Sequence, residues 1–152
     1  MKIDILTIFP EMFEKVFGTS IIGRATGTGI VDIKVHNLRD WSDDNYKSVD
    51  DKPFGGGAGM VMRVDVVDRA LADLKKPKSK VVLLDTKGKM YDQKVAEILK
   101  NENHLILIAP HFEGIDRRVQ EHLTDEVYSI GPYVLSGGEL PVMVVVDSIV
   151  RL

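Results

Sequence analysis

The sequence contains no cysteine among its 152 residues. This absence excludes a disulfide framework, a thiolate metal site and a thiol nucleophile. Histidine is scarce too, and the four histidines, at positions 36, 104, 111 and 122, show no zinc-binding spacing. An excess of positive charge is also lacking, since the formal net charge is −3. Domains that bind nucleic acid by bulk electrostatics are usually basic, so any such contact here must come from local patches and shape.

Long apolar runs are missing as well. The first residues, MKIDILTIFPEM, hold a short apolar run that acids and a proline interrupt, which is typical of a first strand and not of a signal peptide. No run approaches the length of a membrane span. We therefore expect a cytoplasmic protein without membrane contact. The last apolar segment ends at Leu152 with no Gly or Pro to close it, so we also expect one domain of a longer protein.

Apolar periodicity predicts alternating strands and helices. The predicted strands cover residues 3–9, 30–35, 80–84, 105–109 and 127–130. The predicted helices cover residues 11–17, 64–74, 92–99 and 114–123, with Asp92 as an N-cap. Residues 139–152 stay ambiguous, because the valines favour a strand while Pro141 and the spacing of Asp147 and Arg151 favour a helix. This order predicts an α/β domain with a mostly parallel sheet flanked by helices.

Ligands of such sheets lie outside the carboxyl ends of the strands. Three loops are predicted there, at residues 85–88, 110–114 and 131–138. Glu113 follows a core strand directly, so it suits either a role in the site or a stabilising place at the start of a helix. His111 beside it is interpreted as a solvated or packing histidine.

A glycine-rich stretch, FGGGAGM, occupies residues 54–60. It lacks the Gly-Lys-Ser/Thr ending of a phosphate loop, and no strand runs into it as in a dinucleotide-binding fingerprint. A plain surface loop is one interpretation. The preceding Asp50 and Asp51 favour a functional loop, since their carboxylates can fix its conformation or meet a substrate.

Several stretches, in the same order along nearly the whole chain, resemble the bacterial tRNA (guanine-N1)-methyltransferases of the trefoil-knot (SPOUT) class. They are IFPEMF at 8–13, GRA at 23–25, VDDKPFGGGAGM at 49–60, FEGID at 112–116 and YSIGPYVLSGGELPVM at 128–143. The resemblance implies methyl transfer from S-adenosylmethionine to N1 of the guanine immediately 3′ of the tRNA anticodon. It also implies a C-terminal trefoil knot, a homodimer with each active site at the interface, and a C-terminal tRNA-binding domain that is absent from this chain.

The resemblance also implies roles for individual residues. Glu113 would face the guanine or a magnesium ion, and Arg151 would stabilise negative charge on guanine O6. The family's general base would lie beyond Leu152, so we expect the chain alone not to methylate tRNA at a useful rate. Contacts to tRNA would come from Arg24, Asp50, Gly55, Gly56, Gly57 and Gly59. The methyl donor would contact Leu83, Leu84, Asp85, Thr86, Pro110, Ser129, Ile130, Gly131, Pro132, Tyr133, Val134, Leu135, Gly137, Gly138 and Pro141.

The sequence departs from the family pattern at Pro110, where glycine is usual, and at Pro132, which replaces a common acidic residue. Residues 129–138 are predicted to form a wall of bare backbone around the donor, with Gly137 and Gly138 providing close approach and a positive φ. A tight turn within the fold is the alternative. A non-enzymatic RNA-binding module on the same scaffold is the alternative function, while a dinucleotide-dependent oxidoreductase is disfavoured by the missing fingerprint.

Overall fold

The sheet is mostly parallel, as predicted. The structure is a computed structural model that describes residues 1–53 and 55–152. Five strands pair in the order β2-β1-β6-β5-β7, with every neighbouring pair parallel, and β3 and β4 form a separate antiparallel hairpin. The strands are β1 (Lys2–Thr7), β2 (Asp32–Asn37), β3 (Asp50–Asp51), β4 (Val61–Met62), β5 (Ser79–Met90), β6 (His104–Ile108) and β7 (Glu126–Ser129).

Helices cover both faces of this sheet. They are α1 (Glu14–Phe17), α2 (Ser20–Gly27), α3 (Val64–Leu74), α4 (Gln93–Leu99) and α5 (Glu139–Val150), with 3₁₀ turns at Pro10–Met12 and Leu38–Trp41 and a π-helix at Val119–Leu123. One face packs on α1, α2, α4 and α5, and the other on α3 and the π-helix. No helix in the described part of the chain is long and apolar enough to cross a membrane.

Burial on both faces explains the continuous apolar strands. In β6, Leu105 and Leu107 pack toward α5 while Ile106 and Ile108 pack toward α3, and all four are fully buried. Because neither face meets water, period-two alternation disappears from the sequence although the side chains still alternate.

Several local predictions are confirmed and others are corrected. The helix over residues 64–74 is present, and the Asp92 carboxylate caps α4 by accepting from Val95 N at 3.0 Å. The ambiguous last segment is the helix α5, and Pro141 is tolerated there because it lies in the first turn. The predicted helix over residues 114–123 is wrong at its start, since Ile115 pairs with Met62. Helix α2 was not predicted.

A buried carboxylate ties the strands together near their amino ends. Asp4 of β1 is fully buried and lies 2.7 Å from Lys2 Nζ, 2.8 Å from His36 Nε2 and 2.6 Å from His104 Nε2. His104 Nδ1 lies in turn 2.6 Å from Ser79 Oγ, so the network joins β2, β1, β6 and β5. Burial raises the pKa of Asp4, but the hydrogen bonds from Lys2, His36 and His104 outweigh it and lower that pKa overall.

We predict that Asp4→Asn lowers the free energy of unfolding at neutral pH, and that the decrease is smaller in acid. A carboxyl group with a lowered pKa in the folded state stabilises the fold above its unfolded pKa of about 3.9, and this contribution is lost as the pH falls through the folded pKa. Leaving buried donors poorly matched costs about 1–3 kcal/mol. Urea unfolding at about pH 7 and at about pH 2, well below the unfolded pKa, measures both effects. Asp32→Asn, the same change at an exposed position on β2, is the control. An equal loss for Asp4→Asn at both pH values would contradict the assignment.

Candidate functional site

A cleft opens at the carboxyl ends of β6 and β7, beside residues 84–86 of β5. The predicted loops at 110–114 and 131–138 meet there, whereas residues 85–88 are not a separate loop but a bulge within β5, where the pairing with β7 shifts register between Leu84 and Lys89. The volume of the cleft is about 730 Å³ when the open solvent at its mouth is included. It is lined by the following residues from the predicted donor-binding set: Leu84, Asp85, Thr86, Pro110, Ser129, Ile130, Gly131, Tyr133, Val134, Leu135, Gly137, Gly138 and Pro141.

Two members of that set do not line the cleft. Leu83 is fully buried and packs with the α3 face, because adjacent residues of a strand point to opposite sides of the sheet. Pro132 is exposed on the surface beside the cleft. Lining residues without a predicted donor contact are His111, Phe112, Gly114, Tyr128 and Ser136. His111, Phe112 and Gly114 belong to a loop predicted at this edge, so position in the loop was the signal available for them.

Glu113 also lines the cleft, and the glycine-rich hairpin is held against it. The backbone N of Glu113 donates to Met60 O at 3.0 Å, and the backbone N of Met62 donates to Gly114 O at 3.0 Å. Gly59 has a φ of +81°, and a Cβ there would collide with the Glu113 side chain. The hairpin, which pairs Asp50 with Met62, therefore forms the rim of the cleft next to Glu113.

The tip of that hairpin has an unusual backbone. Gly55, Gly56 and Gly57 have φ values of +91°, +84° and +138°, which side-chain-bearing residues rarely adopt. Phe54, which begins the predicted glycine-rich stretch, lies outside the described residues. At the tip, glycine is therefore needed because the backbone has positive φ. At Gly59, it is also needed because a side chain would collide with Glu113.

The two glycines before α5 allow close approach, but not through a positive φ. Gly138 has a φ of −84°, and Gly137 is not among the glycines with positive φ, so that expectation is wrong. Gly138 N donates to Pro110 O at 2.6 Å, and a Cβ on Gly138 would lie 2.9 Å from Ala109 Cα and collide with the Pro110 ring. The close approach at Gly138 is thus to the protein's own backbone at the end of β6.

The two predicted arginines lie away from the cleft. Arg24 is exposed on α2, and Arg151 is exposed where α5 ends. Gly138 borders the cleft at the other end of α5, whose 12 residues span about 18 Å. One chain therefore does not bring Glu113 and Arg151 together.

The lining of the cleft is apolar and acidic. Ile130, Tyr133 and Leu135 offer apolar contact, while Asp85 and Glu113 are the charged members and none of the described lining residues is Lys or Arg. No cluster of three or more His, Asp or Glu side chains suited to a metal ion occurs in the part of the chain that the structure describes. Such a site can enclose a planar ring between apolar side chains and exposed peptide groups, and it favours a cationic ligand over an anionic one.

Fold and cleft together define a parallel α/β domain that binds its ligand at the carboxyl edge of the sheet. The family model described as tRNA (Guanine-1)-methyltransferase TrmD matches residues 1–152, and the chain belongs to this family. A tRNA (guanine-N(1)-)-methyltransferase of Dictyoglomus turgidum is 52% identical over 152 residues, which are 100% of this chain and 62% of that protein.

Further relatives with the same name agree. The Ruminiclostridium cellulolyticum protein is 49% identical over 155 residues, and the Brevibacillus brevis protein is 50% identical over 155 residues. Both alignments include 100% of this chain, with 66% and 63% of the relatives. The chain thus spans somewhat less than two thirds of the length of these relatives.

We predict that Gly138→Ala destabilises the fold by about 1–3 kcal/mol, the usual cost of overpacking a close contact. The added methyl group would meet backbone of β6 and the Pro110 ring, which cannot turn aside. Gly27→Ala in α2 is the matched control, because a Cβ there has no heavy atom within 4 Å. It should be neutral or slightly stabilising. Thermal unfolding measures both, and equal melting temperatures for the two variants would show that the contact at Gly138 is soft.

Proposed function

We propose that this chain is the donor-binding catalytic part of a cytoplasmic enzyme that methylates N1 of the guanine immediately 3′ of the tRNA anticodon, with S-adenosylmethionine as donor. The observation that carries the proposal is a cleft walled by glycines at the carboxyl edge of the sheet, in a chain of the tRNA (Guanine-1)-methyltransferase family.

The cleft suits the adenosine part of such a donor. Its apolar side chains can cover the faces of a ring, and the glycines that line it bring peptide groups close to a ligand. When bound, the sulfonium of the donor supplies a methyl group that needs no protein nucleophile. The contribution of the chain is then to orient the donor and to exclude water.

The guanine would enter beside the glycine-rich hairpin. Glu113 lies between this hairpin and the cleft, where its carboxylate can accept hydrogen bonds from guanine N–H groups. The predicted tRNA contacts Asp50 and the glycine tip both belong to this hairpin, and the bare backbone of the tip would allow close approach of the RNA. Magnesium at Glu113 is a separate prediction. The described residues add no cluster of further ligands for it, and no step of the proposal depends on it.

Loss of the N1 proton moves negative charge onto guanine O6, and a guanidinium stabilises that charge as it develops. Arg151 is the candidate, but it lies about 18 Å along α5 from the cleft of its own chain. We therefore infer that Arg151 serves the cleft of a second copy, so that the active site of a homodimer combines Glu113 of one chain with Arg151 of the other.

The exposed surface of α5 supports this dimer. Leu140 and Val144 are 51% and 48% exposed, and they form one strip with Asp147 and Arg151 at helical spacing. Exposed apolar side chains at the cleft, among them Val134 at 85%, lie beyond the amino end of that helix. The apolar part of this strip, Leu140 and Val144, together with the exposed apolar side chains at the cleft, is a candidate interaction surface.

A knotted C-terminal part belongs to the same proposal. Both Leu84 and Lys89 of β5 pair with Tyr128 of β7, so residues 85–88 leave the sheet and return around that position. A Cβ on Gly88 would lie 2.6 Å from the Tyr128 backbone. This tight loop supports a threaded chain, of the kind that is very rare among folds.

We predict that S-adenosylmethionine binds the chain and stabilises it by about 2.7 kcal/mol at a hundredfold excess over the dissociation constant. Calorimetric titration and thermal unfolding measure the two quantities. NAD is the control ligand, since it shares adenosine but suits the oxidoreductase alternative. Binding of tRNA without any heat from the donor would favour the RNA-binding module and contradict the proposal.

We predict that Val144→Asp converts a dimer into a folded monomer, because a buried unpaired charge at the interface is costly. Sedimentation at micromolar concentration gives the mass, and circular dichroism checks the fold. Ile98→Asp is the matched control, an apolar residue that is 64% exposed on α4. An unmutated chain that sediments as a monomer while binding the donor fully would refute the shared site.

A further inference from the structure

A buried carboxylate lies directly behind the wall of the cleft. Glu139, the first residue of α5, is 2% exposed. Its Oε1 accepts a hydrogen bond of 3.1 Å from the Thr7 hydroxyl at the end of β1, and its Oε2 lies 3.2 Å from His111 Nδ1 in the loop after β6. These three residues connect separate parts of the chain at one point beneath the ligand site.

The hydrogen bonds fix which atoms carry hydrogen. Thr7 Oγ1 already accepts from Phe9 N at 3.0 Å, so its own hydrogen is free to go to Glu139. A carboxylate is only an acceptor, so His111 Nδ1 must be the donor of the second bond. An imidazole with its hydrogen on Nδ1 has an acceptor lone pair on Nε2.

The ring of His111 is held in one orientation. Phe9 and Phe112 contact it edge-on, at ring-centre distances of 4.8 and 5.4 Å. A Cβ on Gly137 would collide with both Glu139 Oε2 and His111 Nδ1, so the loop passes over the pair only because it has no side chain there. His111 lines the cleft, and its Nε2 has no hydrogen-bond partner among the residues that the structure describes.

We propose that Glu139 is a positioning residue that holds His111 in this tautomer, and that His111 Nε2 accepts a hydrogen bond from an N–H group of the ligand in the cleft. The inference rests on the proposed function for the identity of that ligand, S-adenosylmethionine. The acidic lining by Asp85 and Glu113 favours the ammonium group at the amino-acid end of the donor as the partner.

The tautomer is tested by long-range ¹H–¹⁵N NMR of the full chain at about pH 8, where an ordinary imidazole is neutral. His111→Gln assigns the signals of His111 among those of the four histidines. We expect a protonated Nδ1 and an unprotonated Nε2, with the Nε2 shift moving when S-adenosylmethionine is added. A hydrogen on Nε2 in the unmutated chain would overturn the proposal without any binding measurement.

The positioning role is tested with Glu139→Gln, which keeps the shape but lets the side-chain amide donate to Nδ1. We expect His111 to take up the other tautomer in part, and donor affinity to fall about three- to tenfold, the usual range for one lost hydrogen bond. Glu97→Gln, the same change at an exposed position on α4, should alter neither. Thr7→Val, which removes the hydrogen bond to Glu139 and the one from Phe9 N, serves as a second variant if Glu139→Gln does not fold.

The ligand group is identified by comparing S-adenosylhomocysteine with methylthioadenosine, which lacks the amino-acid end. If the ammonium is the partner, only S-adenosylhomocysteine should lose affinity on Glu139→Gln. An equal loss for both ligands overturns the ammonium assignment, and no loss for either overturns the positioning role. A chain that binds no donor at all refutes the proposed function instead, while the NMR signals of His111 still decide the Glu139 contact.

Discussion

The cleft depends on one close contact between two backbones. The peptide at Gly138 lies against the end of β6, with a hydrogen bond of 2.6 Å from Gly138 N to Pro110 O. This contact brings the loop after β7 over the loop after β6, and it places the first turn of α5 beneath both. Any side chain at Gly138 would separate the two segments, so one missing Cβ sets the shape of the wall.

Pro110 shows how this constraint absorbs a departure from the family pattern. A proline has no N–H to offer a ligand, but it keeps its carbonyl. Here the carbonyl accepts from Gly138, and the ring fills the space that Gly138 leaves. A proline at position 110 therefore removes at most one peptide N–H from the wall of the cleft. The hydrogen bond that joins the two loops is retained.

Much of the fold was predictable because burial on both faces leaves a direct mark in the sequence. The runs at residues 81–84 and 105–109 and the helical spacing in α3 are of this kind. What local patterns missed depends on distant partners. The valines of α5 favour a strand locally, and only packing against the sheet makes the segment helical. Ile115 leaves its predicted helix because Met62, far away in sequence, offers a strand-like partner.

The site divides in the same way. Topology alone predicted that the loops after β6 and β7 meet, since carboxyl ends of parallel strands share one edge. It did not predict that β5 continues past residues 85–88 and contributes a bulge to the cleft. The contact between His111 and Glu139 joins residues 28 positions apart, and no spacing rule relates them. Gly137 indicates it only indirectly, because a glycine is needed where the loop crosses the hydrogen bond between His111 and Glu139. Such contacts follow from three-dimensional packing. In the sequence, their only trace is a small residue, such as Gly137, whose reason is not visible locally.

Charge gives the final constraint. The cleft carries carboxylates and, among its described lining residues, no Lys or Arg, which suits a cationic methyl donor but repels the phosphates of RNA. Under the proposed function, stabilising a developing negative charge on guanine O6 would require a cation, and none of the described lining residues supplies one. Arg151 follows a helix whose other end borders the cleft and whose exposed strip begins with the apolar Leu140 and Val144. If two copies packed along that strip, the Arg151 of each chain would lie at the cleft of the other. The acidic lining therefore favours the proposed active site built from two chains.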